Sequence, residues 1–411
     1  MSKIQKIDPK IAELIKEEET RHKETLNLIA SENYPSKAVR EALSSIFVVK
    51  YSEGRPHKRY YAGMENVDRL EILVEERIRK AFKLNSKKWA VNVQPYSGSP
   101  ANYAVLRGLL KRGDKVMSLS LAHGGHLTHG SPVSLVGIDF KIVHYLLDKK
   151  TGLLDYKEIE RLAKKEKPKI IICGFTAYPR KIDFKKFKKI ASGVGAYLWA
   201  DVAHIAGLIA GDAYPNPFPS ADVVTATTHK TLRGPRGAFI VCREELGKKI
   251  FSKVFPGLQG GPHNHTICAL GVALKEVMTP SFREYAAQVV RNAKVLSQEL
   301  KKHGFSLVSG GTDSHLILID LRNKNISGKE AQEVLESASI VLNKNAIPYD
   351  SGSPFNPSGI RIGTPALTTR GMKEKEMKKV AFWIKEVVSN PEQAPKIKRE
   401  IKKFCQKFPL P

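Results

Sequence analysis

Reactive side chains recur at the ends of apolar segments in the middle of this chain. AYLWADVAHIAG carries Asp201 and His204, and TATTHKTLRGPRGA carries His229 and Lys230. An amine is nucleophilic only without its proton. Set among Thr227, Thr228, Thr231 and Gly234, Lys230 has little room to reach solvent. Partial desolvation lowers its pKa and favours attack on an aldehyde. Pyridoxal phosphate requires such a lysine, and also a carboxylate that keeps its pyridine nitrogen protonated so that the ring acts as an electron sink; Asp201 is the candidate. The cofactor further requires a cradle for a phosphate dianion. In QPYSGSPANYAV a strand runs into Ser97-Gly98-Ser99 and then a helix, whose first N–H groups and dipole suit that anion. Each feature alone has a plainer reading. Lysine is ordinarily a surface residue, and an aspartate closing a strand is often a turn residue. His204 reads equally as a hydrogen-bonded core histidine, and the small-residue loop as a simple turn.

The elements that must position these groups alternate. Asp8-Pro9 opens a helix as cap and first residue, expected to run to about Leu26. The loop YSEGRPHKRYYAG follows, polar but carrying Tyr51, Tyr60 and Tyr61, as loops lying over a site often are. Apolar spacing at 67, 70, 74, 78 and 81 predicts a helix. Then come the strand WAVNVQP, the helix ANYAVLRGLLKRG, the strands KVMSLS and FKIVHYLL, the helix YKEIERLAKK, the strand KIIICGF and the helix FKKFKKIAS. AYLWADVA, DVVTATTH and GAFIVCR are three further strands. Short, doubly apolar strands alternating with helices imply an α/β fold with a mostly parallel sheet covered on both faces, whose ligands bind beyond the strands' carboxyl ends. From about Thr279 the pattern changes: a long helix, the strands FSLVSG and HLILIDLR, the helix GKEAQEVLESAS and a last helix near 371–388. This predicts an arm over 1–50, a large domain over 51–278 and a smaller α+β domain over 279–411.

Composition narrows the class. The 411 residues are 42% hydrophobic, enough for a sizeable core. No run approaches the roughly 18 apolar residues of a membrane span, and the charged amino terminus lacks a signal core, so a cytoplasmic enzyme is expected. Cys173, Cys242, Cys268 and Cys405 fit neither a disulfide framework nor zinc spacing. The formal charge of +27 suits a nucleic-acid binder. The lysines, however, alternate with apolar positions at helical spacing, as on a solvated helix face, so nucleic acid is not the expected partner.

Read together, LIASENY, KYSEG, KRYYAG, QPYSGSPAN, LAHGGHLTHGSP, ADVAHIAGLIA, TTHKTLRGPRG, GLQGGP, VSGGTDSH and SGIRIGTPA resemble the serine hydroxymethyltransferase family in order and spacing, over roughly residues 8 to 390. The resemblance implies an aspartate-aminotransferase-like large domain and a homodimer with shared active sites. It implies pyridoxal 5'-phosphate as cofactor, tetrahydrofolate as co-substrate, and interconversion of serine and glycine. Lys230 is then the Schiff-base lysine, Asp201 the partner of the pyridine nitrogen and His204 that of the phenolic oxygen. His126 stacks on the ring. Ser97, Gly98 and Ser99 hold the phosphate, with Tyr51, Gly260 and Gly261 reaching it from the neighbouring subunit; Thr176 and Thr227 complete the cofactor contacts. Arg361 binds the substrate carboxylate, its fork matching two oxygens as lysine cannot, assisted by Ser31. His229 tunes specificity beside the lysine, and Arg236 lies near both. Glu53 moves a proton at the serine hydroxyl or the folate nitrogen, with Tyr61 beside it. The folate lies along Tyr60, Leu121, Gly125, His126 and Leu127, with Asn345, Ser353, Pro354 and Phe355 touching its pterin and aminobenzoate parts. No metal is expected: the three histidines of LAHGGHLTHG lack a carboxylate or thiol partner.

Some positions depart from the common family text. Tyr96 stands where histidine is frequent, Thr176 and Pro179 alter a Ser-Ala-Tyr-Ser pattern, and Ser314 replaces an asparagine. Arg55 and His57 replace smaller residues in the Glu53 loop, and Ala62 a glycine. None removes a catalytic group. The competing reading is a folate-independent aldolase acting on β-hydroxy amino acids with the same lysine, aspartate and arginine.

Overall fold

Apolar residues on both sides of each strand build a sheet with no wet face. In the computed structural model, which describes residues 3–411, seven strands form it: β1 (Trp89–Asn92), β2 (Lys115–Leu119), β3 (Lys141–Tyr145), β4 (Ile170–Cys173), β5 (Tyr197–Asp201), β6 (Val223–Thr227) and β7 (Ala238–Arg243). Their order is β1-β7-β6-β5-β4-β2-β3. β7 alone runs against its neighbours; the pairs β2–β3, β2–β4, β4–β5 and β5–β6 are parallel. Helices cover both faces. One core contains Val74, Ile78, Met117, Phe187 and Leu198, and another, across the sheet, contains Val105, Ile170, Trp199 and Ile250. The mixed α/β class with a mostly parallel sheet is the one the residue pattern predicts.

Asp8 caps the helix Pro9–Glu24 by accepting from Ile11 N–H, and the periodic segment after the tyrosine loop is the helix Glu65–Ala81, burying Val67, Val74, Ile78 and Ala81. Elsewhere the expectations need correction. The strand expected in FSLVSG is only Ser306–Leu307, because the chain turns into a 3-10 segment in which Ser309 takes φ 57°. The helix near 371–388 (Glu374–Ser389) is not the last: Ala394–Cys405 follows, packing Ile397, Ile401 and Cys405 inward. Two further helices appear: Glu244–Val254 packs on β1, β7 and the helix that follows β1, and Asn264–Val277 packs on the helix Glu65–Ala81.

The carboxyl-terminal region has its own antiparallel sheet, in the order Ser306–Leu307, Leu316–Asp320, Gly359–Gly363, Asn343–Asn345, and its own core around Leu296, Ile317, Leu335, Trp383 and Ile401. Leu26 and Leu28 belong to that core, and Leu26–Asn27 pairs in parallel with Ile340–Val341. Buried Arg370 donates all five of its N–H groups. They go to the carbonyls of His22, Lys23 and Thr25 at the end of the first long helix, and to those of Cys405 and Phe408.

Candidate active site

β1, β2, β4, β5 and β6 release their chains toward one end of the sheet, and a cavity of about 480 Å³ opens there, where parallel sheets hold ligands. Asp201 is the last residue of β5 and Thr227 the last of β6. His204, His229 and Lys230 follow within three residues of a strand end. The Lys230 loop is tied down locally. Thr231 Oγ1 donates to His204 O at 2.9 Å and accepts from Gly207 N–H at 3.0 Å, while Asn33 Nδ2 donates to Lys230 O at 3.0 Å.

Lys230 is buried, and its Nζ makes no hydrogen bond or ion pair among the described residues. Burial brings its pKa down to about 8; Asp201 opposes the shift and the Arg361 and Arg236 guanidiniums reinforce it. Asp201 is the counter-charge. Its Oδ2 accepts from His129 Nε2 at 2.9 Å and Asn102 Nδ2 at 2.8 Å, and its Oδ1 from Ala203 N–H at 3.0 Å. Burial would raise this carboxyl, but the His129 hydrogen bond and charge outweigh it and hold the group well below the usual carboxylate range.

His126, His204 and His229, which line the cavity, are neutral bases. His126 falls to about 4, through burial and then His129; its Nδ1 accepts from Thr128 N–H at 3.1 Å, leaving the proton on Nε2. His229 falls to about 3, through burial and then Arg236 and Lys230. His204 is pushed down by burial and by Lys230, and lies 3.3 Å from the buried His315. Arg361 falls to about 10 through burial; its Nη1 donates to Thr176 O at 2.7 Å and its Nε to Asn343 Oδ1 at 3.1 Å, which leaves the other N–H groups free. The Thr176 hydroxyl donates to Gly125 O at 2.7 Å, so only its lone pairs remain for a ligand.

Ser97 precedes the helix Gly98–Leu109 without using its hydroxyl as a cap. A Cβ on Gly98 would lie 2.8 Å from Thr227 Cγ2, so the bare glycine keeps the helix start open. The helix start at Gly98 and Ser99, a lone buried amine and a hydrogen-bonded carboxylate fit the phosphate, aldehyde and pyridinium of pyridoxal phosphate.

Ser31, Ser97, Gly98, Ser99, Leu121, Gly125, His126, Leu127, Thr176, Asp201, His204, Thr227, His229, Lys230, Arg236 and Arg361 all line this cavity. Tyr51, Glu53, Tyr61, Gly260 and Gly261 do not; they form a second cluster. The Tyr51 and Tyr61 rings pack edge to face at 5.1 Å, and a Cβ on Gly260 would lie 3.0 Å from Glu53 Oε1. Tyr96 joins them, donating to Gly261 O at 2.7 Å and stacking on His263 at 4.2 Å. Tyr60 is exposed against Phe255. Asn345 closes an edge strand with its amide on Ala346 O, and Ser353, Pro354 and Phe355 sit in an exposed turn. Sequence reasoning missed His129 and Asn102, the two side chains that hold Asp201. The signal for His129 was the three-residue spacing in HLTH, read only as a possible metal pattern.

The doubly covered sheet and the lysine–aspartate pair at its carboxyl edge define a fold-type I pyridoxal-phosphate enzyme. The family model for serine hydroxymethyltransferase matches residues 4–384, and the chain belongs to that family. It is accordingly a transferase that interconverts serine and glycine; the family uses pyridoxal phosphate with tetrahydrofolate as co-substrate.

Proposed function

We propose that this chain transfers the one-carbon unit between serine and tetrahydrofolate at Lys230. The observation that carries this reading is the unpartnered, desolvated Lys230 amine in a cavity that also holds an ionised Asp201. Bound pyridoxal phosphate would supply the sink for the electron pair left at Cα when the bond to the hydroxymethyl carbon breaks. Lys230 offers Nζ to the cofactor's aldehyde, Asp201 its carboxylate to the pyridine nitrogen, and His204 its ring to the phenolic oxygen. Ser97, Gly98 and Ser99 would hold the phosphate, and the neutral His126 would pack against the ring. The free N–H groups of Arg361 take the amino-acid carboxylate, with Ser31 beside them. Neutral His229 adds no further positive charge beside Lys230, while Arg236 is an exposed cation at the rim.

Glu53 and Tyr61 are the proton-moving pair for the hydroxyl of serine or the folate nitrogen. Their separation from the cavity within one chain supports a homodimer in which Tyr51, Glu53, Tyr61, Gly260 and Gly261 serve a neighbour's site. Ile46, Val48, Val49 and Tyr60, all exposed, would be covered there. The folate would lie over the exposed edges of Leu121 and Leu127, with Asn345 and the turn at Ser353, Pro354 and Phe355 touching its pterin and aminobenzoate parts. A cytoplasmic setting suits the four free thiols.

Serine cleavage by the cofactor-loaded protein, measured with and without tetrahydrofolate beside Lys230→Ala, tests the reading. Strong acceleration by folate, with activity and the cofactor's visible band both lost in the variant, is the expected result. Cleavage at one rate with or without folate would favour the aldolase reading, which needs only the cavity residues.

A further inference from the structure

Behind the Glu53 loop lies a buried charge network that the chemistry above does not use. Gly54–Arg55 and Lys58–Arg59 pair as a minimal hairpin. Gly54 takes φ 100°, and a Cβ there would lie 2.2 Å from Lys58 O. Arg59 donates from Nη1 to Ser52 O at 3.0 Å and Gly54 O at 2.7 Å, from Nε to Asp68 at 2.8 Å and from Nη2 to Glu71 at 2.7 Å. Arg55 donates from Nη1 to Glu71 at 2.9 Å and from Nη2 to Glu75 at 2.6 Å, and its guanidinium lies over the Phe251 ring. Gln94 Nε2 bridges Gly54 O and Glu71. Asp68, Glu71 and Glu75 thus present three carboxylates from one face of the helix Glu65–Ala81, and two guanidiniums, one from each strand, pin the hairpin to them.

Buried ion pairs contribute little net stability, because desolvation offsets their attraction; apolar replacements of similar volume often fold as well or better. They do fix geometry, since each guanidinium fork is satisfied in one orientation. Arg55 adds a second anchor to a hairpin that Arg59 already holds, and it does so two residues from Glu53.

We infer that Arg55, through Glu71 and Glu75, is a positioning residue that sets where the 51–61 loop presents Glu53 and Tyr61. The inference rests on the proposed role of Glu53. Its test is the double variant Arg55→Met/Glu75→Met, in which the part-buried Arg55 charge and the buried Glu75 charge leave together while Arg59 still pairs with Glu71. The holoenzyme should keep its melting temperature and its cofactor band. Amide exchange in 51–61 should rise about tenfold or more while that in 226–236 stays fixed, and folate-dependent kcat should fall roughly 10- to 100-fold with the serine KM nearly unchanged. Arg55→Lys, which keeps the charge without the fork, should fall between the two.

Unchanged exchange in 51–61 would overturn the inference, as would faster exchange with unchanged kcat. Glu53→Gln run in parallel separates the two claims. Full activity in that variant sinks the Glu53 role whatever the loop does. Loss of activity there, with no effect of the double variant, sinks only the positioning role.

Discussion

His129 Nε2 lies 2.9 Å from Asp201 Oδ2, both side chains buried, so the carboxylate facing the cavity is held as an anion by a ring three residues beyond His126. A charge-assisted hydrogen bond of this kind contributes about 1.5–3 kcal/mol. His129→Leu should therefore weaken cofactor binding roughly 10- to 100-fold, while Asn102 and Ala203 N–H keep Asp201 in place. Titration of the apoenzyme with pyridoxal phosphate, followed by absorbance, measures this; an unchanged dissociation constant would show that the pair does not support the cofactor.

Cofactor capture should speed up with pH through about 8, the value to which burial lowers the Lys230 amine. Only the neutral amine attacks an aldehyde, so about a tenth of the sites are ready at pH 7, against fewer than one in a thousand for an ordinary lysine. The sign carries over to stability. Between about 8 and 10.5 the unfolded chain binds the proton and the native apoenzyme does not, so stability rises with pH across that window and the gain is lost as pH falls through 8. Stopped-flow capture rates from pH 6.5 to 9.5 test it. A flat profile would mean that Lys230 titrates elsewhere.

Arg361→Lys should raise the KM for serine and lower kcat/KM about 100-fold, since lysine offers a point charge where a fork is needed. The Thr176 O and Asn343 contacts would be lost as well. The visible cofactor band should stay. Loss of that band along with activity would place Arg361 in the cofactor site instead.

Gly98→Ala puts a Cβ 2.8 Å from Thr227 Cγ2. Thr227 must then shift at the point where the helix opens toward the phosphate. We expect weaker binding of cofactor and of inorganic phosphate, each by about tenfold, with little change in melting temperature of the apoprotein. Equal loss of stability would point to packing as the reason for the glycine.

Much of this was legible in sequence because parallel-sheet strands are uniformly apolar and end abruptly in polar residues. That is why Asp201 and Lys230 stand out, and why the order of strands and helices is readable around them. The antiparallel course of β7 was not legible, since strand direction leaves no mark on GAFIVCR. Helix Ala394–Cys405 was missed because its lysines mask a narrow stripe of Ile397, Ile401 and Cys405. His129 and Asn102 escaped for a different reason: each touches a residue far along the chain, and spacing carries no record of such contacts.

Arg370 ties the segment at residues 22–25 to the one at 405–408. Its five N–H groups hold carbonyls at 22, 23 and 25 together with those at 405 and 408, and Arg40 reaches Pro411 O nearby. Neither segment can pull away without stranding donors that serve the other. The amides near residue 25 and those near residue 405 therefore share a single opening free energy, although some 380 residues of chain separate them.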